Sequence, residues 1–150
     1  MPYRELEEAR IAEIVRSARV VAVVGMKDEQ SRFQPAYTVP ERMHSLGIRI
    51  IPVNPTIRSS QGVPALARAS ELTEKVDLIQ IFRRPEFVEA LADEIVAMPP
   101  ALRPAVVWAQ SGIVNDAAAD KLTAAGIEVV MDRCFAVDAA KYRHTSTTSR

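Results

Sequence analysis

A single cysteine, Cys134, has no partner for an intrachain disulfide, so the fold must rest on its core and a reducing compartment is expected. The only histidines are His44 and His144. With one cysteine they make no Cys/His cluster, and no metal site is expected. Neither charge sign is in excess, with 19 Lys and Arg against 19 Asp and Glu. That balance removes bulk attraction to nucleic acid or to a membrane surface. No apolar run approaches the length of a membrane span, and the opening Met-Pro-Tyr-Arg-Glu-Leu-Glu-Glu lacks an apolar signal core. Glycine is sparse as well. After Gly25 the fingerprint G-x-G-x-x-G requires glycines at positions 27 and 30, which are Lys27 and Gln30. G-x-x-x-x-G-K-[ST] is also missing, so a standard NAD(P) site and a P-loop are both excluded. These absences lead to the expectation of a cytoplasmic, single-domain protein of ordinary globular composition, 48% hydrophobic and 25% charged.

What is present is a set of five short apolar runs: Val20–Val24, Arg49–Val53, Val76–Phe82, Pro104–Ala109 and Ile127–Met131. Continuous β-branched stretches of this length read as strands buried on both faces. Helical patterns lie between them. Leu6, Ala9, Ile14, Val15 and Ala18 recur at helical spacing before the first run. Thr38 and Glu41 have capping-box spacing around Pro40, which predicts a helix from there to about Leu46, stopped by Gly47. A short helix is expected around Pro64–Ala69. Another begins at Pro85, with Phe87, Val88, Leu91, Ala92, Ile95 and Val96 as one stripe ended by Pro99-Pro100. Asn115 can cap a helix running through Leu122 to Gly126. Strands alternating with helices imply an α/β fold, a single doubly wound parallel five-stranded sheet. The domain is expected over residues 1–143, with 144–150 a disordered tail.

In such sheets ligands bind at the carboxyl ends of the strands. The strand-end segments are therefore the candidates: Gly25 to Arg32, Asn54-Pro55, Arg83-Arg84-Pro85, Gln110-Ser111-Gly112 and Asp132-Arg133-Cys134. A strand, Gly25, a polar loop with Lys27, Ser31 and Arg32, and then a helix N-terminus form the general layout of an anion site. The same layout serves any first strand-to-helix turn with a solvated loop, and both readings stand. Arg83-Arg84 reads either as a bidentate phosphate fork or as a solvated pair. Phe82 is the better candidate for packing against an adenine, and Trp108 is expected in the core. Cys134 reads either as a thiol at the crevice mouth beside Arg133 or as a small buried apolar residue. His44 is expected on the surface of its helix.

Five segments carry a resemblance: Val21-Ala-Val-Val-Gly25, Pro52-Val-Asn-Pro55, Phe82-Arg-Arg-Pro85, Trp108-Ala-Gln-Ser-Gly112 and Val130-Met-Asp-Arg-Cys134. In this order and spacing the chain resembles a family of small stand-alone coenzyme A-binding proteins. Their Rossmann-like fold is that of the N-terminal domain of the succinyl-CoA synthetase alpha subunit. The resemblance implies coenzyme A, or an acyl-CoA, as ligand in the crevice. Its pyrophosphate is expected at Gly25, Met26, Lys27, Ser31 and Arg32, and its adenosine end near Val53, Asn54, Pro55, Phe82, Arg83 and Arg84. The pantetheine arm then runs toward Gln110, Ser111 and Gly112, with Arg133 and Cys134 beyond. No acid stands at the end of the second strand, where a carboxylate would repel the 3′-phosphate, which carries about −1.5 to −2 charge. The first loop, Ser31-Arg-Phe-Gln-Pro-Ala-Tyr37, departs from the family's Arg-Pro-Ser-Tyr stretch by two extra residues and by Ala36, so its backbone rather than a named hydroxyl is expected to serve the phosphates. The synthetase's phosphohistidine comes from parts that have no counterpart here, and no catalysis is expected. The alternatives are thiol chemistry with CoA at Cys134 and a regulatory role docked on an acyl-CoA enzyme. A homo-oligomer is compatible with either.

Overall fold

The apolar runs pair side by side because each presents side chains to both faces and leaves backbone groups that only neighbouring strands can satisfy. The computed structural model describes residues 2–143. In chain order it contains α1 (Glu8–Ser17), β1 (Val20–Val24), α2 (Pro35–Ser45), β2 (Arg49–Val53), β3 (Ser59–Ser60), β4 (Val63–Pro64), β5 (Leu78–Ile81), α3 (Val88–Val96), β6 (Val106–Ala109), α4 (Asp116–Ala124), β7 (Glu128–Val130) and α5 (Phe135–Tyr142). Five strands form one parallel sheet in the order β2-β1-β5-β6-β7. The register places Val23 beside Pro52 and Gln80, and Gln80 beside Trp108.

Alternation along each strand divides the core in two. Val21, Val23, Leu78, Val106 and Trp108 face α1, α2 and α5, while Ala22, Val24, Ile79, Ile81 and Val107 face α3 and α4. Trp108 is fully buried, as expected, and meets Phe135 edge-on at 4.9 Å between ring centres. Such a pair contributes about 0.5–1.5 kcal/mol beyond its buried area. The Trp108 indole N–H donates to the Arg133 carbonyl at 2.8 Å, which satisfies its one polar atom.

Several expected boundaries move. The second helix starts at Pro35, not Thr38: Tyr37 and Thr38 both donate backbone N–H groups to the Gln34 carbonyl, and Pro35 takes the first turn. Pro40 therefore lies inside the helix, where its missing N–H leaves the Ala36 carbonyl without its helical partner. The Lys27 N–H fills that vacancy at 3.2 Å. The expected helix around Pro64–Ala69 is instead the β3–β4 hairpin followed by a 3₁₀ turn at Ala69–Glu71. β5, β6 and β7 are shorter than the apolar runs Val76–Phe82, Pro104–Ala109 and Ile127–Met131 that predict them. Asn115 caps α4 as predicted, its side chain accepting from the Ala118 N–H at 2.9 Å. Sequence reasoning missed α5 altogether. The expected tail and His144 lie outside the described residues, and His44 is exposed on α2. Among the described residues no helix is long and apolar enough to cross a membrane.

The missed helix is tied down at both ends. Arg143, just past α5, donates to the carbonyls of Val15, Arg16 and Ala18 at the end of α1 and to Leu46 at the end of α2. A cation there answers the unpaired carbonyls of two helix C-termini at once. At the other end Arg133 binds Asp138 and Glu8 at 2.8–3.0 Å. Arg133, followed by the Tyr142 hydroxyl, pulls the Glu8 carboxyl from its ordinary 4.5 to about 2. A depressed carboxyl pKa stabilises the fold above the unfolded value, and that contribution fades as the pH falls through the folded one. Glu8→Gln is therefore expected to lower stability at neutral pH and to flatten the loss of stability between pH 4.5 and about 2. Denaturant titrations at stepped pH check this, and an unaltered pH slope contradicts it.

Candidate functional site

The sheet order places β1 between β2 and β5, so the chain leaves β1 and β5 toward opposite faces and opens a crevice between their carboxyl ends. A cleft of about 360 Å³ occupies that place. Gly25 and Lys27 line it after β1, Asn54, Pro55 and Thr56 after β2, and Phe82, Arg83 and Arg84 after β5, with Phe87 closing one side. Lys27, Arg83 and Arg84 are exposed, and no carboxylate stands among the lining residues. The site is thus a cationic recess with an apolar wall.

Gly25 is what lets its two loops meet. Its φ is +86°, and a Cβ there would lie 2.1 Å from the Phe82 carbonyl oxygen. A glycine is required here by an approach of the chain to itself. Its N–H donates to the Val53 carbonyl at 2.8 Å, which joins β1 to β2 at the same point.

The loop beyond Gly25 is held through its backbone. Asn54 Nδ2 donates to the Met26 carbonyl and Ser60 Oγ to the Lys27 carbonyl, each at 2.8 Å. With the Lys27 N–H on Ala36, both polar groups of the Met26–Lys27 peptide are engaged within the fold. Glu29 binds the hairpin by accepting from the Gln61 N–H at 2.7 Å, and binds α2 by accepting from the Tyr37 hydroxyl. The Gln61 N–H is the main cause holding the Glu29 carboxyl below its ordinary pKa. Asn54 Oδ1 accepts from the N–H and hydroxyl of Thr56, fixing the turn after β2.

Of the residues proposed from sequence, Gly25, Lys27, Asn54, Pro55, Phe82, Arg83 and Arg84 come together in the cleft. Phe82 is half-buried and also packs against the α1, α2 and α5 side of the core. The Met26 side chain is fully buried in that core, and Val53 is buried on the opposite face. Ser31 ends a 3₁₀ turn, and Arg32 is exposed beyond it; neither lines the cleft. Gln110 turns inward: its Oε1 accepts from Gln80 Nε2 at 3.0 Å and from the Phe135 N–H at 3.3 Å. Gln80 Oε1 is buried there without a partner. Ser111 and Gly112 form the exposed turn after β6, and the Gly112 N–H donates to Asp132 at 2.7 Å. Cys134 is the half-buried residue preceding α5, and Arg133 is occupied by Glu8 and Asp138. A second hollow of similar size lies by Arg133 but carries Glu5, Glu8 and Asp132, a poor setting for an anion.

Thr56 and Phe87 were missed. The Asn-x-Thr turn after β2 signals Thr56, because Asn binds the backbone two residues on. Phe87 fits the apolar stripe of α3 only if the helix begins at Pro85. Pro85–Phe87 is a 3₁₀ turn, whose three residues per turn rotate Phe87 off the core face. It is 46% exposed.

Residues 19–140 match the family described as "CoA binding domain". The chain is 36% identical over 130 residues to the Bacillus subtilis (strain 168) protein YneT, itself described as uncharacterized, covering 87% of this chain and 92% of that one. The structure of cell-free ID.343 from Thermus thermophilus superposes with a TM-score of 0.82 at 32% identity, over 91% of this chain and 99% of that one. The apo dinucleotide-forming acetyl-coenzyme A synthetase 1 from Ca. Korarchaeum cryptofilum shares the fold at 18% identity and a TM-score of 0.61, over 78% of this chain and 26% of that one.

Both Gly25 and Gly112 have positive φ, but a Cβ at Gly112 meets nothing within 4 Å. Gly112→Ala is expected to cost about 1–2 kcal/mol from backbone conformation alone. Gly25→Ala adds a backbone collision and should cost clearly more. Thermal melts of the two variants decide, and equal losses would mean that the Phe82 segment yields freely.

Proposed function

The chain belongs to the CoA-binding domain family, and from that premise we propose that it binds coenzyme A or an acyl-CoA in the cleft between the carboxyl ends of β1 and β5. The observation that carries this reading is the convergence of Lys27, Arg83 and Arg84 on a recess without a carboxylate. A ligand with a pyrophosphate and a phosphomonoester suits that charge, since guanidinium forks pair with phosphate oxygens in two parallel hydrogen bonds. The apolar surfaces of Pro55 and Phe82 offer a place for the adenine, with Arg83 and Arg84 beside the 3′-phosphate. The pantetheine arm then leads away along the strand ends toward Ser111 and Gly112. The reading is of binding without catalysis of its own, which the cations and apolar walls of the cleft support.

Calorimetric titration at fixed salt with CoA, dephospho-CoA, NAD and ATP tests the reading. CoA is expected to bind tightest. Arg83→Ala or Arg84→Ala should weaken CoA about ten- to a hundredfold, the range of a lost charged hydrogen bond, and dephospho-CoA much less. A preference for NAD or ATP removes the proposal, and equal weakening of both CoA forms removes the 3′-phosphate role.

A further inference from the structure

The two arginines follow β5 as neighbours in a surface segment, and long exposed side chains there are ordinarily free to wander. Here both converge on one ring. The Arg83 guanidinium carbon lies 5.4 Å from the centre of Phe87 and that of Arg84 lies 5.9 Å from it. Arg84 has only a loose acidic neighbour, Glu86 at 4.0 Å, with both side chains mostly exposed. The turn that carries the ring is fixed through its backbone. The Phe87 N–H donates to the Arg84 carbonyl at 2.9 Å, and the Pro85 carbonyl accepts from Asn115 Nδ2 at 2.9 Å. Asn115 is also the cap of α4, so the turn that carries Phe87 is braced against a helix end.

We propose that Phe87 is the positioning residue of the cleft, a braced aromatic platform that gathers Arg83 and Arg84 into one phosphomonoester-selective pair. This rests on the cleft being the CoA site. Cation–π attraction holds each guanidinium near the ring without consuming its N–H donors, which stay free for phosphate oxygens. The preference for CoA over dephospho-CoA then originates in a residue that touches neither the phosphate nor the base. Were Phe87 instead a stacking surface for the adenine, its loss would affect both ligands alike, since they share that base.

The test is titration of wild type, Phe87→Leu and Phe87→Trp with CoA, dephospho-CoA and adenosine 3′,5′-bisphosphate. Phe87→Leu is expected to weaken CoA and the bisphosphate about tenfold through two lost ring–cation contacts, to leave dephospho-CoA within about twofold, and to be rescued by Phe87→Trp. Phe87 is half-exposed and outside the core clusters, so an unchanged melting temperature should accompany the loss. Equal weakening of CoA and dephospho-CoA, or undiminished CoA binding in Phe87→Leu, overturns the positioning role while the CoA reading stands. Wild-type protein that binds none of the three ligands overturns the CoA reading and this role with it.

Discussion

The chain after β1 passes the chain after β5 with no room for a side chain between them, and the shape of the strand-end crevice depends on that contact. With 2.1 Å between a Cβ at position 25 and the Phe82 carbonyl oxygen, only glycine lets the two loops lie against each other. Because Gly25 is also bonded to Val53, the same residue sets the relative heights of three strand ends. Lys27, Asn54 and Arg83 share one recess because their loops start from a common point.

The positive charge of this recess is carried by side chains. In anion sites of the helix N-terminus kind, backbone N–H groups do the work. Here Pro40 leaves the Ala36 carbonyl open, and the Lys27 N–H is drawn to it and away from the crevice. Asn54 and Ser60 take the neighbouring carbonyls. The loop is thereby stiffened from behind, and the cations on Lys27, Arg83 and Arg84 face the cleft from a fixed frame.

The strands were readable because double burial forces continuous apolar runs, and the strand ends were readable because Gly25, Asn54-Pro55 and Arg84-Pro85 punctuate them. The start of α2 was obscured because Thr38 and Glu41 offered a stronger local motif than Gln34-Pro35. A proline inside a helix is also hard to foresee when its compensation comes from Lys27, far from it in the chain. The helix α5 has no capping side chain at Cys134 and follows β7 almost directly, so it left no punctuation to read. Gln110 looked like a crevice residue from its place after β6. Its partner Gln80 is thirty residues away, and nothing local reveals that the side chain turns inward. Phe87 shows the same limit, since one 3₁₀ turn decides which way an apolar residue points.

Arg143 also bears on how the chain comes to be folded as it is made. The carbonyls it gathers belong to helices that precede it by 97 to 128 positions, and Phe135 fills the core beneath Trp108 only when α5 is in place. During synthesis α1 and α2 cover part of that face as they emerge, and the strip beneath Trp108 waits for Phe135 and α5. Native packing around Trp108 therefore waits until α5 has been made, and until then that part of the sheet keeps an apolar strip open.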